Sequence, residues 1–204
     1  MAVSRTRLCV FARAPVLGGV KRRLAADIGD AAALAAHIQL TEDTLERLAA
    51  VEGLETELWL AGEADAHVRR WLGAWQLRLR RQQGSDLGQR MANALARCHA
   101  DGFQGLVVGG DCPPVDAAYA RQAAEALGEA DVVLGPALDG GYGLVGTRQP
   151  LPQIFLDIPW GTNAVLQATL ERIEEAKLSV RLLEPIWDVD TASDWSFYLQ
   201  YRQR

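Results

Sequence analysis

The chain has 204 residues, of which 49% are hydrophobic and 23% are charged, and its formal net charge is −5. This composition is typical of a globular protein, and the length predicts a single domain over residues 1–204 with a sizeable core. The negative charge and the absence of a long basic stretch argue against nucleic acid as a partner. No apolar segment is long enough to span a membrane, and the three cysteines form no metal-binding pattern. We therefore expect a cytoplasmic protein with reduced thiols.

Strand-like and helix-like segments alternate along the chain. The predicted strands are residues 8–11, 56–61, 76–80, 105–108, 131–134, 142–145 and 178–183. The predicted helices are residues 30–50, 64–72, 117–127, 163–177 and 191–201, together with a helix that begins at residue 86. This alternation is typical of a three-layer α/β/α sandwich with a mainly parallel sheet. The Asp-Gly-Gly turn at residues 139–141 favours one antiparallel strand after it, so we expect a mixed sheet.

The loop after the first predicted strand carries glycines and cations. Residues 12–25 read ARAPVLGGVKRRLA, with Gly18 and Gly19 ahead of Lys21 and Arg23. The glycines let the backbone approach a ligand closely, and the cations suit a diphosphate. The segment matches neither the Walker A pattern nor the GxGxxG fingerprint. A solvated basic loop before a helix explains the same residues about as well, so both interpretations stand.

A second glycine-containing segment follows the third predicted strand. Residues 82–91 read QQGSDLGQRM, in which Gly84 and Gly88 would let the backbone lie close to a flat ring. An ordinary helix start that is capped by Ser85 or Asp86 explains the segment without any ligand. Taken alone, this segment favours the capped helix.

Acidic residues follow two other predicted strands. Asp111 comes after the strand at 105–108, and Asp188 and Asp190 come after the last strand. Ligands of such folds bind at the carboxyl ends of strands. Mg²⁺ usually takes one or two carboxylates together with substrate phosphates and water. We therefore expect Asp111 and one of the other two aspartates to share a divalent ion, with the cations of the first loop on the opposite side of a diphosphate. For Asp190 the competing role is a helix N-cap.

Asp139 lies in the Asp-Gly turn of the segment PALDGGYG. Such a dipeptide is a favoured hairpin turn, and this role explains the residue by itself. A carboxylate on a loop at the strand ends is also the group that a hydroxyl acceptor needs as a general base. The histidines at positions 37, 67 and 99 have no spacing typical of metal ligands, and we expect Cys112 to fill the core.

Six motifs, in order from Phe11 to Trp195, together resemble one known family. They are FARAPVLGGVKRRLA, GSDLGQRM, GGDCPP, GPALDGGYGLVG, IPWGT and WDVDTASDW. The family is a bacterial group of GT-A-like glycosyltransferases described as a domain of unknown function, DUF2064. It is similar to the nucleotide-diphospho-sugar transferases and to the phospholactate and molybdenum-cofactor guanylyltransferases, which share its sheet and a single metal-binding aspartate.

The resemblance implies a GT-A fold and a set of roles at the strand ends. Four residues of the first loop would hold the phosphates of a nucleotide, namely Ala12, Arg13, Lys21 and Arg23. Gln83 and Gly88 would border the base. Asp111 would stand at the metal-binding position and contact the nucleotide phosphates, with Asp190 as the second ligand of Mg²⁺ or Mn²⁺.

Two enzyme functions and one binding function fit these residues. The first is a glycosyltransferase that uses a nucleotide sugar, with Asp139 as the base for a hydroxyl acceptor. The second is a nucleotidyltransferase, similar to the guanylyltransferases, in which Lys21 and Arg23 stabilise charge at the α-phosphate of a nucleoside triphosphate. The third is a nucleotide-binding protein without catalysis. The family resemblance and Asp139 favour glycosyl transfer to a small-molecule acceptor, while the two cations favour nucleotidyl transfer.

Overall fold

Seven strands form one sheet in the computed structural model, which describes residues 5–203. The strands are β1 (Thr6–Arg13), β2 (Leu54–Ala61), β3 (Arg78–Arg81), β4 (Gln104–Gly109), β5 (Val132–Pro136), β6 (Tyr142–Thr147) and β7 (Val180–Leu182). Their order across the sheet is β3-β2-β1-β4-β6-β5-β7. Strand β6 is antiparallel to both β4 and β5, and the other neighbouring pairs are parallel. The predicted mixed sheet is confirmed.

Helices connect the strands and cover both faces of the sheet. Within residues 5–203 they are α1 (Arg22–Ile28), α2 (Asp30–Leu48), α3 (Ala66–Trp75), α4 (Leu87–Ala100), α5 (Ala117–Ala126), α6 (Val165–Glu175) and α7 (Ala192–Tyr201). None of these helices is long and apolar enough to cross a membrane. The carboxylates of Asp65, Asp86 and Asp116 cap α3, α4 and α5 by accepting a hydrogen bond from a backbone N–H of the first turn. The capped start of α4 agrees with the sequence prediction.

The sheet is apolar on both faces because helices cover both. Along β1, Leu8 and Val10 belong to the core formed with α2, α3 and α5, while Cys9 and Phe11 belong to the core formed with α4 and α6. A strand that is buried on both faces reads as a continuous apolar run, as β1 does. Burial of each large apolar side chain contributes roughly 1.5–3 kcal/mol relative to exposure. This arrangement confirms the three-layer α/β/α sandwich.

Two short elements are not predicted by the sequence patterns. Helix α1 has seven residues, of which Leu24 is buried. One buried side chain gives no apolar periodicity, so the pattern of residues 22–28 does not reveal a helix. A 3₁₀ turn at Pro152–Phe155 is also too short for a periodic signal.

The chain connections reverse direction between β1 and β4. From β1 the chain runs outward through β2 to β3, and it then returns to β4 on the other side of β1. Loops that follow the two central strands diverge at such a switch point and leave a crevice at the carboxyl ends. Because Lys21 and Asp111 lie on these two loops, the topology brings both residues to the same crevice.

Candidate functional site

A cleft of about 710 Å³ opens at the carboxyl ends of the strands. Its walls come from the loops after β1, β3, β4 and β5 and from residues 160–163 and 188–190. The volume is within the range of small-molecule and cofactor sites, and the position is the one expected for a ligand in an open α/β sheet. The cleft therefore defines the candidate active site.

Two glycines at the end of β4 allow Asp111 its position. A Cβ on Gly109 would lie 2.9 Å from Oδ1 of Asp111, and a Cβ on Gly110 would lie 3.1 Å from the carbonyl oxygen of Phe11. The carbonyl oxygen of Asp111 also accepts a hydrogen bond from the N–H of Val189, at 3.2 Å. The glycines and this backbone contact fix Asp111 in the lining of the cleft.

Lys21 holds the other carboxylate oxygen of Asp111. Its side chain is only 6% exposed, and Nζ donates to Oδ2 of Asp111 at 2.6 Å and to the carbonyl oxygen of Val189 at 2.5 Å. Burial opposes ionisation of both side chains, but their mutual attraction outweighs it, so the pKa of Asp111 is lowered and that of Lys21 is raised. Lys21 and Arg23 line the same cleft as Asp111, as predicted, and the ammonium of Lys21 contacts that carboxylate directly.

Asp188 and Asp190 reach the cleft from one extended segment. Val189 between them is fully buried, and both aspartates line the cleft. Burial raises the pKa of Asp188 to about 6, and the negative charges of Asp111 and Asp139 add to this effect. Nη1 of Arg23 donates to Oδ2 of Asp190 at 2.8 Å in a solvent-exposed pair. Among residues 5–203, Asp188 forms no ion pair, whereas Asp190 does.

The helix N-cap predicted at Asp190-Thr191 is formed by Thr191 and not by Asp190. Helix α7 has a capping box in which Thr191 is the N-cap residue and the carboxylate of Asp194 accepts a hydrogen bond from the backbone N–H of Thr191. The Oγ1 atom of Thr191 accepts from the N–H of Asp194 at 3.3 Å. The carboxylate of Asp190 is consequently available to the cleft.

Asp139 combines its turn role with a position in the cleft. Its Oδ1 accepts a hydrogen bond from the N–H of Gly141 at 2.9 Å, which is the side-chain turn expected from the sequence. Gly140 has φ 90°, and a Cβ there would lie 2.2 Å from the carbonyl oxygen of Asn163. The turn is therefore packed closely against Asn163, and Asp139 lines the cleft.

The acidic residues fit a divalent ion that substrate oxygens complete. Among residues 5–203, no three or more His, Cys, Asp or Glu side chains are grouped closely enough to hold a metal by themselves. Mg²⁺ is usually held by one or two carboxylates plus substrate phosphates and water. The carboxylates of Asp111 and Asp188, which line one cleft and repel each other, agree with that donor set.

The remaining predicted residues divide into two groups. Ala12 and Arg13 line the cleft, together with Lys21, Arg23 and the aspartates. Gln83 is exposed outside the cleft lining, and its neighbour Gln82 lines the cleft instead while donating to the carbonyl oxygens of two strands. Gly88 is covered by a side chain of the protein and does not reach the cleft surface.

The flat ring that lies against Gly88 is the indole of Trp160. A Cβ on Gly88 would lie 2.6 Å from Cζ2 of Trp160, and the indole also packs edge to face with Tyr142 at 6.2 Å between centroids. Trp160 thus joins the start of α4 to β6 across the cleft. Its motif IPWGT is visible in the sequence, but nothing in its residue types indicates this contact.

His37 is a further cleft residue that sequence reasoning missed. It lies in α2, lines the cleft and has Nε2 3.0 Å from the carbonyl oxygen of Arg13. Burial lowers the pKa of this imidazole, so the ring is neutral near pH 7 and supports the loop after β1. A single histidine on a helix face carries no sequence signal for such a role.

The sheet and the cleft together define the fold of the nucleotide-diphospho-sugar transferases. Within that fold, the chain belongs to the family described as uncharacterized protein conserved in bacteria (DUF2064), whose model matches residues 44–162. It is 30% identical to a protein of Desulfovibrio desulfuricans G20 that is provisionally described as a nucleotide-diphospho-sugar transferase. That comparison covers 98% of this chain and 89% of the other, with a TM-score of 0.88. The search of curated proteins gives no match.

More distant solved structures share the fold. A nucleotidyl transferase from Methanothermobacter thermautotrophicus is 18% identical, with 98% of this chain and 99% of that chain covered and a TM-score of 0.62. A Mycobacterium tuberculosis H37Rv protein solved in complex with manganese is 19% identical, with 97% and 98% covered and a TM-score of 0.55. The recognised fold and family are therefore confirmed.

The contact between Gly88 and Trp160 predicts that alanine at position 88 destabilises the protein, whereas alanine at the uncrowded position 73 stabilises it. Gly88→Ala places a methyl group against the indole, so we expect the free energy of unfolding to fall by about 1–3 kcal/mol. Gly73→Ala, in α3, places the methyl group where no atom lies within 4 Å, so it should raise stability by roughly 0.5–1 kcal/mol. Denaturant unfolding measures both. If adding Trp160→Ala does not reduce the cost of Gly88→Ala, the contact does not exist in solution.

Proposed function

We propose that the chain is a transferase of one domain, residues 1–204, that uses a nucleotide-activated donor and a divalent metal ion, Mg²⁺ or Mn²⁺. We further propose glycosyl transfer from a nucleotide sugar to a small cytoplasmic acceptor. One observation carries the proposal: carboxylates from three separate loops converge with Lys21 in one cleft at the carboxyl ends of the strands. The description of the 30% identical relative as a nucleotide-diphospho-sugar transferase supports it.

The donor diphosphate is assigned to the side of the cleft formed by the first loop. Lys21 and Arg23 both line this side, and Ala12 and Arg13 lie at the end of β1 next to them. Ammonium and guanidinium groups form strong charge-assisted hydrogen bonds to phosphate oxygens. Since Arg23 is held at Asp190 in an exposed pair, it can turn toward a phosphate with little loss of stability.

Asp111 and Asp188 are the proposed metal ligands. Asp111 and Asp188 line the same cleft, and within the described residues 5–203 Asp188 forms no ion pair, whereas Asp190 pairs with Arg23. A bound divalent ion would neutralise charge on the leaving diphosphate. Carboxylates that repel one another in the free protein favour such an ion, and this repulsion supports Asp188 in place of the Asp190 expected from the sequence.

Asp139 is the proposed general base for the acceptor. One carboxylate oxygen is used by the Gly141 N–H, which leaves Oδ2 to accept the proton of an attacking hydroxyl. Tyr142 and Trp160 form the adjacent wall, so the acceptor would lie against aromatic side chains while its hydroxyl faces the carboxylate. The chain's own contribution is thus to hold the acceptor and remove its proton.

Nucleotidyl transfer is the alternative that a specific observation favours. Lys21 and Arg23 lie in the same cleft, where they can stabilise charge at an α-phosphate under attack. An acceptor phosphate would arrive already ionised, so Asp139 would then orient substrate or shape the turn. A nucleotide-binding protein without catalysis does not account for the convergence of carboxylates in the cleft, and we rank this function last.

A prediction about the metal site compares two neighbouring carboxylates, those of Asp188 and Asp190. A thermal-shift screen of nucleoside diphosphates, triphosphates and nucleotide sugars, with and without Mg²⁺, identifies the best donor analogue. We expect Asp188→Asn to weaken binding of that analogue with Mg²⁺ by at least about tenfold, as expected for damage to a metal site. Asp190→Asn removes the same charge two residues away and should weaken it by less than about threefold, because Asp190 pairs with Arg23 in solvent. Calorimetric titration measures both. The reverse order would restore Asp190 as the ligand.

The second prediction separates the two enzyme functions. Asp139→Asn keeps the oxygen that accepts from Gly141, so the turn and the affinity for the donor should change little. Loss of a general base should lower turnover with a hydroxyl acceptor by about a hundredfold or more. Asp157→Asn, which removes an exposed carboxylate outside the cleft, is the matched control. Turnover that stays near normal in the Asp139→Asn variant would exclude this base and favour nucleotidyl transfer.

A further inference from the structure

Lys21 places an ammonium group among the carboxylates of Asp111, Asp188 and Asp190, which we call the acidic centre. Nζ lies 2.6 Å from Oδ2 of Asp111 and 2.5 Å from the carbonyl oxygen of Val189, on the segment that carries Asp188 and Asp190. The side chain is 6% exposed, so this is an interior contact and not a loose surface pair. The ammonium thus draws together oxygens from two separate loops, as a bound metal ion does.

The ammonium also occupies one oxygen of the carboxylate proposed to bind the metal. Oδ1 of Asp111 lies 2.9 Å from where a Cβ on Gly109 would be, and Sγ of Cys112 is 3.9 Å from it. Oδ2 is held by Lys21, so a metal ion on this carboxylate would lie close to the ammonium. Two cations at one carboxylate repel each other strongly in a partly buried site. Lysine and metal cannot both keep this position.

The backbone at Lys21 indicates that the contact is maintained against local preference. Lys21 has φ 46° and ψ 49°, a left-handed conformation that side chains other than glycine adopt at a cost. It stands at the N-cap of α1 without making a capping hydrogen bond, and a cation at a helix N-terminus is disfavoured by the helix dipole. The backbone preference and the helix dipole both disfavour a lysine at this position. We therefore attribute its placement to the attraction between the ammonium and the acidic centre.

We propose that Lys21 is the resident counter-cation of the acidic centre and that a divalent ion binds Asp111 only by displacing its ammonium. This inference rests on the proposed metal-dependent function. In the metal-free protein, Lys21 neutralises Asp111 and holds the segment 188–190 in place. When metal and donor enter, the released ammonium gains the donor phosphates as its new partner, so the two ligands bind with positive coupling.

The test is Mn²⁺ binding without nucleotide, measured from the free Mn²⁺ signal in electron paramagnetic resonance. Lys21→Met keeps the length and removes the charge, so the variant should bind Mn²⁺ at least about tenfold more tightly than the unmodified chain. Arg23→Gln is the matched control, since it removes the same charge from the exposed Asp190 pair and should change the affinity less than about threefold. Equal or weaker Mn²⁺ binding by Lys21→Met overturns the proposal.

The same variants separate failure of this inference from failure of the proposed function. If Mn²⁺ binds the unmodified chain and Lys21→Met equally, the metal site stands and only the role of Lys21 is lost. If Mn²⁺ binds neither chain, with or without uridine or guanosine diphosphate, the metal-dependent function is lost as well. Should Lys21→Met be unfolded in metal-free buffer, circular dichroism follows the titration with Mn²⁺. Recovery of helix supports the proposal, and no recovery overturns it.

Discussion

The ion pair between Lys21 and Asp111 is the interaction on which the site depends. It joins the loop after β1 to the loop after β4, and the second hydrogen bond of Lys21 adds the segment that leads into α7. An ion pair removed from water contributes less to stability than its short distance suggests, because both charges lose hydration. The ion pair instead contributes to the geometry of the site, because Lys21 holds together three segments that lie outside the sheet and helices.

The same arrangement is the reason that we propose two related reactions for the cleft. The cations of the first loop and the carboxylates that they contact match the donor set of a diphosphate or triphosphate with its metal ion in either proposed reaction. The reactions differ in the acceptor, because a hydroxyl must lose a proton and an ionised phosphate need not. In the proposed glycosyl transfer, Asp139 would take this proton, since one of its oxygens accepts a hydrogen bond within the turn and the other does not.

Most of the fold could be predicted from the sequence, because buried strands and amphipathic helices leave periodic patterns. The apolar run of β1 and the Asp-Gly-Gly turn before β6 predict the sandwich and its antiparallel strand. Helix α1 leaves no such pattern, since it buries Leu24 alone. Within the site, residue chemistry indicates Asp111, but its contact with Lys21 depends on the path of the loop after β1. The contact of Gly88 with Trp160 is likewise a product of tertiary packing.

The most direct test of the account is anomalous diffraction at the manganese edge, from crystals grown with Mn²⁺ and the nucleoside diphosphate that stabilises the protein most. If a divalent ion binds Asp111, we expect an anomalous peak about 2–2.5 Å from an oxygen of Asp111, the distance range of oxygen-ligated divalent ions. The account also predicts that Nζ of Lys21 has left Asp111 and lies within hydrogen-bond distance of a phosphate oxygen. A nucleotide bound in the cleft with no manganese at Asp111, or with the Lys21–Asp111 pair intact beside the metal, would contradict it.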